Sequence, residues 1–154
     1  MPAPKTQAKT EAIEVASTGG TFRLADHRGH PLVLFFYPKD NTPGCTTENA
    51  AFRDLYPKFR KAGAVLVGVS RDSVKSHQNF KAKLDLPFDL ASDADEALCK
   101  AFGVIRKKNM YGREVIGVER STFVFDTEGN LVREWRGVKV PGHADEVLAL
   151  VKTL

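Results

Sequence analysis

Cysteine is scarce in this chain, and its scarcity limits the classes of protein to which the chain can belong. Two of the 154 residues are cysteine, Cys45 and Cys99, and neither is part of a CxxC pair. Two cysteines are too few for the disulfide framework of a small secreted protein, so we expect a reducing, cytoplasmic setting. The four histidines are dispersed along the chain. We therefore expect no metal site and no bound cofactor.

Long apolar runs and blocks of like charge are also missing. No stretch approaches the roughly 20 apolar residues that cross a membrane, and residues 1–15 lack the apolar core of a signal peptide. The formal net charge is +4, but the 23 basic residues are scattered among 19 acidic ones. The densest basic cluster, Arg106-Lys107-Lys108, has only Tyr111 nearby as a stacking aromatic residue. We therefore expect neither a membrane nor a nucleic acid as a partner.

The composition supports one domain with a substantial core. The chain is 42% hydrophobic, and we find no internal repeat, low-complexity block or linker in it. Residues 1–11 are polar and lack periodicity, which is typical of a flexible tail. The sequence therefore predicts a single domain over residues 12–154.

Apolar periodicity predicts strands that alternate with helices, and hence a three-layer α/β domain. Strands are expected as a glycine-turn hairpin in residues 13–24, then at 32–37, 64–69 and 87–91, and as a second hairpin at 121–126 and 131–136. Helices are expected from Thr42 to Gly63, from Asp72 or Ser73 through Phe80, from Ser92-Asp93 to Phe102, and from His143 to Leu154. We expect residues 106–117 to form an exposed loop or ribbon beside the functional site, which is described next.

The segment from Leu32 to Glu48 carries the strongest functional signal. Its apolar strand ends at Pro38, and a turn leads to Thr42 as a helix N-cap and Pro43 in the first helical position. Cys45 then lies in the first helical turn, where free N–H groups and the helix dipole favour a thiolate. A lone cysteine is more often a small packed residue, but this placement favours a reactive nucleophile.

The motif Pro38-x-x-x-Thr42-x-x-Cys45 is similar to the active-site signature of peroxiredoxins. The longer segment FFYPKDNTPGCTTE resembles the Q subfamily, also called bacterioferritin comigratory proteins. The similarity extends from about Thr21 to the C-terminus and includes the segments 119–123 and 142–144. The resemblance implies a thioredoxin fold, with a central mixed sheet flanked by helices and an N-terminal β-hairpin. It also implies reduction of hydrogen peroxide and organic hydroperoxides, with thioredoxin or another thiol as reductant, in antioxidant defence and redox homeostasis.

The resemblance also implies the roles of individual residues. Cys45 attacks the peroxide and becomes a sulfenic acid, Thr42 hydrogen-bonds within the thiolate–peroxide arrangement, and Pro38 shields the cysteine from water. Arg120 matches the arginine before Ser-Thr-Phe in the family, which implies a guanidinium that stabilises the thiolate and polarises the peroxide. Glu48 lies one helical turn after Cys45, and we leave open whether it hydrogen-bonds to Arg120 or is solvated.

The sequence departs from the Q subfamily at the resolving cysteine, the second thiol that forms a disulfide with the oxidised first one. Members of the Q subfamily often carry a resolving cysteine five residues after the first, here Ala50, or in the following helix, whose segment Asn79–Ala82 contains none. Cys99 is the other candidate, but it adjoins the apolar stripe of its helix, which favours a packed, unreactive thiol. We therefore favour a one-cysteine cycle over a Cys45–Cys99 disulfide.

We expect the protein to be a monomer or a weakly associating dimer.

The same residues admit other interpretations. His77 lies on an apolar helix stripe, where a lone histidine is more often a packed, hydrogen-bonded residue than a base. A thioredoxin-type reductase would need a second thiol to complete a CxxC, and that position is Glu48. A non-catalytic redox sensor or holdase that uses Cys45 as a switch is the alternative from another functional class.

Overall fold

The computed structural model describes residues 12–154, except for the side chains of residues 108 and 110. The predicted flexible tail, residues 1–11, lies outside the described residues. The strands are β1 (Glu14–Ser17), β2 (Gly20–Arg23), β3 (Leu32–Phe36), β4 (Val65–Ser70), β5 (Asp89–Ser92), β6 (Ile105–Met110), β7 (Arg113–Val118), β8 (Ser121–Phe125) and β9 (Leu131–Arg136). The helices are α1 (Pro43–Lys61), α2 (Val74–Leu84), α3 (Ala97–Ala101) and α4 (His143–Val151), with a 3-10 turn at Leu24–His27.

Seven strands form one mixed sheet in the order β2-β1-β5-β4-β3-β8-β9, and β6 pairs with β7 separately. The central strand β3 runs parallel to β4 and antiparallel to β8. All five residues of β3 are buried, as its continuous apolar run predicted. The mixed sheet with flanking helices confirms the predicted α/β thioredoxin fold, and the N-terminal hairpin is present as β1 and β2.

The sheet separates two hydrophobic clusters. Alternate residues of β3 point to opposite faces, so Phe35 joins one cluster and Phe36 the other. The first cluster, hereafter the α1 face, contains buried residues of α1, α2 and α4 together with Cys45. The second, hereafter the α3 face, contains Cys99 from α3 together with Phe123 and Phe125 of β8. The two cysteines therefore belong to different cores.

Helix α1 begins as predicted, but its cap is made differently. Thr42 is the N-cap residue by backbone geometry and Pro43 follows it, which places Cys45 in the first turn. The Thr42 side chain, however, makes no hydrogen bond to a helix N–H. Its hydroxyl donates instead to the carbonyl of Lys39 at 2.7 Å, which closes the preceding turn.

Helix α3 is shorter than the predicted helix from Ser92-Asp93 to Phe102. It begins at Ala97, because Glu96 adopts a left-handed conformation with φ of 63°. Asp93 still serves the helix start, since its carboxylate accepts hydrogen bonds from the backbone N–H groups of Leu98 and Cys99 at 3.0 and 2.7 Å. Asp93 therefore bonds the N–H groups of the first turn, but the N-cap residue is Glu96 and the predicted start is wrong.

The segment predicted as an exposed loop or ribbon is a two-stranded ribbon. β6 and β7 pair antiparallel from Ile105 to Val118, and Tyr111 at the tip is 99% exposed.

Among the described residues, none of the helices has both the length and the apolarity needed to span a bilayer.

Candidate active site

Cys45 and Arg120 meet although 75 positions separate them in sequence. Arg120 donates a hydrogen bond from Nη2 to the Sγ of Cys45 at 3.4 Å. The sheet register explains the contact, because Ser121 pairs with Phe36 at the end of β3. Arg120, just before β8, therefore lies beside the loop that leads from β3 to Cys45. The Cys45 side chain is buried, so a guanidinium and the start of α1 act on its sulfur away from bulk water.

Glu48 completes a chain of contacts behind Arg120. Arg120 donates from Nη1 to Oε1 of Glu48 at 2.7 Å, so of the two possibilities left open the structure shows the hydrogen-bonded one. Glu48 is only 1% exposed, and its Oε2 has no hydrogen-bond partner among the described residues. Burial raises the pKa of Glu48 to about 7, with Arg120 acting in the opposite direction. Burial alone would lower the pKa of Arg120, but its contacts with Glu48 and Cys45 outweigh this and raise it.

Gly44 provides the space that the guanidinium occupies. A Cβ atom at this position would lie 3.0 Å from Nη2 of Arg120. A side chain there would press against a group that Glu48 already holds on its other side. Sequence reasoning assigned no role to Gly44, because the crowding arises from a residue far along the chain.

Pro38 and Thr42 lie in the loop between β3 and α1. Pro38 directly follows the buried Tyr37 and is itself half-buried. Thr42 is also half-buried, and its carbonyl accepts a hydrogen bond from Thr46 N at 2.9 Å. The side chain of Asn49 donates to the carbonyl of Cys45 at 2.9 Å, which adds a second tie to the first turn of α1.

Asp40 anchors this loop to the rest of the domain, and sequence reasoning missed it. Its carboxylate accepts hydrogen bonds from the Tyr37 hydroxyl at 2.6 Å and from Ser76 Oγ at 2.8 Å, and it contacts His77 Nδ1 at 2.8 Å. Its backbone N–H donates to Asp72 at 2.9 Å. The sequence pattern assigns Asp40 only turn chemistry, because its partners in α2 and before it lie more than 30 residues away.

His77 is packed and hydrogen-bonded, as expected for a histidine on an apolar stripe. Its side chain is fully buried, and Nε2 lies 3.0 Å from the carbonyl oxygen of Ala91. Potential metal-ligand atoms of Asp40, Asp72 and His77 lie within 4.8 Å of one another, a grouping that the dispersed histidines did not suggest. These atoms are already hydrogen-bonded to each other or to neighbouring hydroxyl and N–H groups, which favours a polar network over a cation site.

Cys99 lies on the α3 face and is fully buried. Burial raises the pKa of its thiol far above the usual value, and the nearby Asp93 carboxylate adds to the effect. Cys45 belongs to the cluster on the α1 face. The structure therefore does not bring the two predicted cysteines together.

Comparisons with known proteins agree with this geometry. Residues 1–134 match the AhpC/TSA family. Peroxiredoxin Bcp of Xanthomonas campestris is 59% identical over 146 residues, which cover 94% of this chain and 91% of that protein. Peroxiredoxin Bcp of Bacillus subtilis is 48% identical over 136 residues, covering 88% and 87%.

Solved structures extend the comparison to the whole fold. The Xanthomonas campestris bacterioferritin comigratory protein, studied for its alkyl peroxide reduction activity, has a TM-score of 0.91 at 55% identity, over 99% of this chain and 96% of that one. Peroxidoxin BcpB of Mycobacterium tuberculosis has a TM-score of 0.80 at 34% identity, over 92% of each chain. A thiol at a helix start, a matching family and closely related whole-length structures lead to one conclusion: the chain belongs to the peroxiredoxins of the AhpC/TSA family, in the Q or bacterioferritin comigratory group, and is a thiol peroxidase.

Proposed function

We propose that Cys45 is the peroxidatic nucleophile of this enzyme. The observation that carries the proposal is the hydrogen bond from Arg120 Nη2 to the Cys45 sulfur at 3.4 Å, at the first turn of a helix. A fixed cation and free backbone N–H groups both favour a thiolate over a thiol. Among the described residues, the other cysteine is packed in the opposite core, where burial disfavours the thiolate.

The reaction follows from these groups. The Cys45 sulfur attacks one peroxide oxygen, an S–O bond forms as the O–O bond breaks, and the departing oxygen takes up a proton to leave as water or an alcohol. The sulfur is oxidised by two electrons to a sulfenic acid. A thiol reductant then attacks this sulfur and releases water, and a second thiol returns Cys45 to its reduced form.

The surrounding residues have separate roles in this proposal. Arg120 stabilises the thiolate and the negative charge that develops on the departing oxygen. Glu48 holds the guanidinium in place from behind through its hydrogen bond at 2.7 Å. Thr42 supplies a hydroxyl whose hydrogen goes to the Lys39 carbonyl, so its oxygen can accept a hydrogen bond from the peroxide, and Pro38 limits the access of water.

We also propose the partners and the setting. Hydrogen peroxide and organic hydroperoxides are the substrates, which the alkyl peroxide reduction of the Xanthomonas campestris relative supports. Thioredoxin or a similar thiol is the reductant, as is typical of the family. The proposed unit is a single thioredoxin-like domain over residues 12–154, acting in the cytoplasm as a monomer or weakly associating dimer.

A one-cysteine cycle is the proposed route of resolution. A disulfide needs Cα atoms within about 7 Å. Cys45 and Cys99 belong to hydrophobic clusters on opposite faces of the central sheet, so a bridge between them would require both cores to open. In the proposed cycle an outside thiol instead attacks the sulfenic acid on Cys45.

Replacing Cys45 with serine tests the proposed nucleophile. Cys45→Ser should keep the fold and lose at least about 99% of peroxidase turnover, because a serine hydroxyl is not ionised near neutral pH. Cys99→Ser is the matched control and should keep most of the activity with either a small thiol or thioredoxin as donor. Turnover above about a hundredth of wild type in Cys45→Ser would exclude Cys45 as the nucleophile.

The non-catalytic sensor or holdase is the second interpretation of a reactive Cys45. The comparisons give it no support, since the relatives are named as peroxiredoxins. A turnover assay with excess peroxide and a thioredoxin system separates the two. An enzyme consumes many equivalents of peroxide per chain, whereas a sensor stops after one.

A further inference from the structure

The loop that carries Thr42 is held at one buried carboxylate. Asp40 is 4% exposed and stands midway between Pro38 and Thr42. Through Ser76 and His77 it connects the loop to helix α2, and through Tyr37 to the end of β3. Asp40 therefore attaches the loop to helix α2 through its side chain, and to Asp72 through its backbone N–H.

The charge on Asp40 follows from its donors. Burial alone would raise the pKa of this carboxyl, but hydrogen bonds from His77, Tyr37 and Ser76 outweigh it and hold the pKa below its usual value. Asp40 is therefore an ionised carboxylate that accepts hydrogen bonds and donates none.

Both ring nitrogens of His77 face acceptors. Nδ1 lies 2.8 Å from the Asp40 carboxylate, and Nε2 lies 3.0 Å from the carbonyl oxygen of Ala91. A neutral imidazole carries hydrogen on one nitrogen only, so it would leave a lone pair aimed at one of these oxygens. The arrangement is satisfied on both sides only by a ring that carries hydrogen on both nitrogens.

Neighbouring hydroxyl groups cannot supply the missing hydrogen. Tyr37 and Ser70 lie 3.5 and 3.4 Å from the two ring nitrogens, but their hydrogens are directed elsewhere. The Tyr37 hydroxyl donates to Asp40 Oδ1 at 2.6 Å, and the Ser70 hydroxyl donates to the Asp72 carboxylate.

Three charged or titratable groups lie close to the His77 ring. Asp40 faces the ring from the loop, Asp72 lies close by from the β4–α2 connection, and Tyr37 faces it from the end of β3. Burial, together with Asp40, raises the pKa of Tyr37 well above its usual value, so this phenol is neutral. The ring therefore has two acidic side chains and a neutral hydroxyl group close to it.

We propose that Asp40 and His77 form a buried ion pair that positions the loop between β3 and α1. Thr42 and Cys45 thereby keep the arrangement that peroxide attack requires. The inference rests on the proposed role of Cys45. Asp40 and His77 are positioning residues in it, since they act through the loop and do not touch the substrate.

The functional arm of the test compares two reactions of Cys45. Oxidation by peroxide needs the whole loop in place, whereas alkylation by iodoacetamide needs only an accessible thiolate. Asp40→Asn and His77→Gln should slow oxidation by about tenfold or more, because a displacement near 1 Å can cost as much as a hundredfold. Alkylation should not slow in either variant. If oxidation stays within about twofold of wild type, or if both reactions slow together, the positioning role is wrong.

Lys81→Met provides the matched control. Lys81 also lies on α2 and bonds Asp89 of β5 at 2.8 Å, so its loss removes a different ion pair from the same helix. Its rates should stay within about twofold of wild type. A loss as large as that of Asp40→Asn would show that any loosening of α2 has this effect and would overturn the specific role of the pair.

The spectroscopic arm uses the wild-type protein and needs no variant of the pair to fold. The chain contains four histidines, so the ring nitrogens of 15N-histidine-labelled protein can be assigned by substituting the other three in turn. At pH 7, with a metal chelator present, His77 should show hydrogen on both ring nitrogens. One unprotonated nitrogen would overturn the ion pair. This result does not depend on peroxidase activity, so it is separable from a failure of Cys45→Ser.

Discussion

At the scale of single residues, Arg120 is the cation that contacts the Cys45 sulfur. Its two terminal nitrogens divide between the Cys45 sulfur (Nη2) and Glu48 (Nη1), and Gly44 leaves room for Nη2. Each of these residues is ordinary when taken alone. Their chemistry depends on a guanidinium that is fixed on two sides and largely shielded from water.

Removing the guanidinium should therefore change the reactivity of Cys45. In Arg120→Met the pH midpoint of Cys45 alkylation should move upward, and oxidation by peroxide should slow by roughly a hundredfold or more, because one fixed donor is lost. Arg133→Met, which removes an exposed arginine from β9, is the control and should match wild type. Equal alkylation midpoints in Arg120→Met and wild type would show that the contact has no effect on the thiol.

Glu48 should give the protein a pH-dependent stability. Burial raises its pKa from the ordinary value of 4.5 to about 7, so the folded state keeps a proton that the unfolded state has already released between these values. Stability should therefore fall as the pH rises through this interval, by an amount on the order of 3 kcal/mol.

Comparison with Glu48→Gln isolates this effect, because glutamine does not titrate and all other groups are unchanged. Urea unfolding of both proteins at pH 5 and pH 8 gives the free energy of unfolding of each. The wild type should lose stability relative to Glu48→Gln on going to pH 8. A constant difference, or a change in the opposite direction, would contradict the raised pKa.

At the scale of elements, the strands and helices follow local patterns, whereas the caps depend on competition between partners. The continuous apolar run of β3 and the Thr-Pro start of α1 are predictable from neighbouring residues. Thr42 nevertheless donates to Lys39 instead of a helix N–H, and α3 begins after a left-handed Glu96. A sequence pattern cannot rank these alternative cap arrangements, because their free energies differ by about the contribution of one hydrogen bond.

Asp93 gives the clearest test at this scale. Asp93→Ala should destabilise the fold by about 2 kcal/mol, because the N–H groups of Leu98 and Cys99 would be left unpaired in a buried position. Urea unfolding measures the loss. At urea concentrations below the unfolding transition, peroxidase activity should not change, because α3 packs on the face opposite Cys45. A loss of activity in the folded variant would contradict that separation.

At the scale of the whole molecule, long-range contacts assemble the site and are the part that sequence patterns could not supply. Arg120 is one of 23 basic residues, and only the family resemblance singled it out. Its place becomes understandable from the β3–β8 register, in which Ser121 pairs with Phe36. The Asp40–His77 contact was missed for the same reason, since 37 positions separate the two residues. Distances in space between distant segments are set by the sheet, not by local periodicity.

The central sheet also places the two cysteines in separate chemical environments. Cys45 lies beside a guanidinium at the edge of the α1 face, and Cys99 is sealed in the apolar α3 face. This separation supports the proposed one-cysteine cycle. It means that oxidation should stop at Cys45 unless an outside thiol arrives.

Trapping the oxidised sulfur tests this claim most directly. The reduced protein is mixed with one equivalent of hydrogen peroxide and a 1,3-dione that reacts with sulfenic acids, with no thiol present, and its peptides are analysed by non-reducing mass spectrometry. We expect the adduct on Cys45 and an unmodified thiol at Cys99. A Cys45–Cys99 disulfide peptide, or an adduct on Cys99 with Cys45 unmodified, would contradict the account.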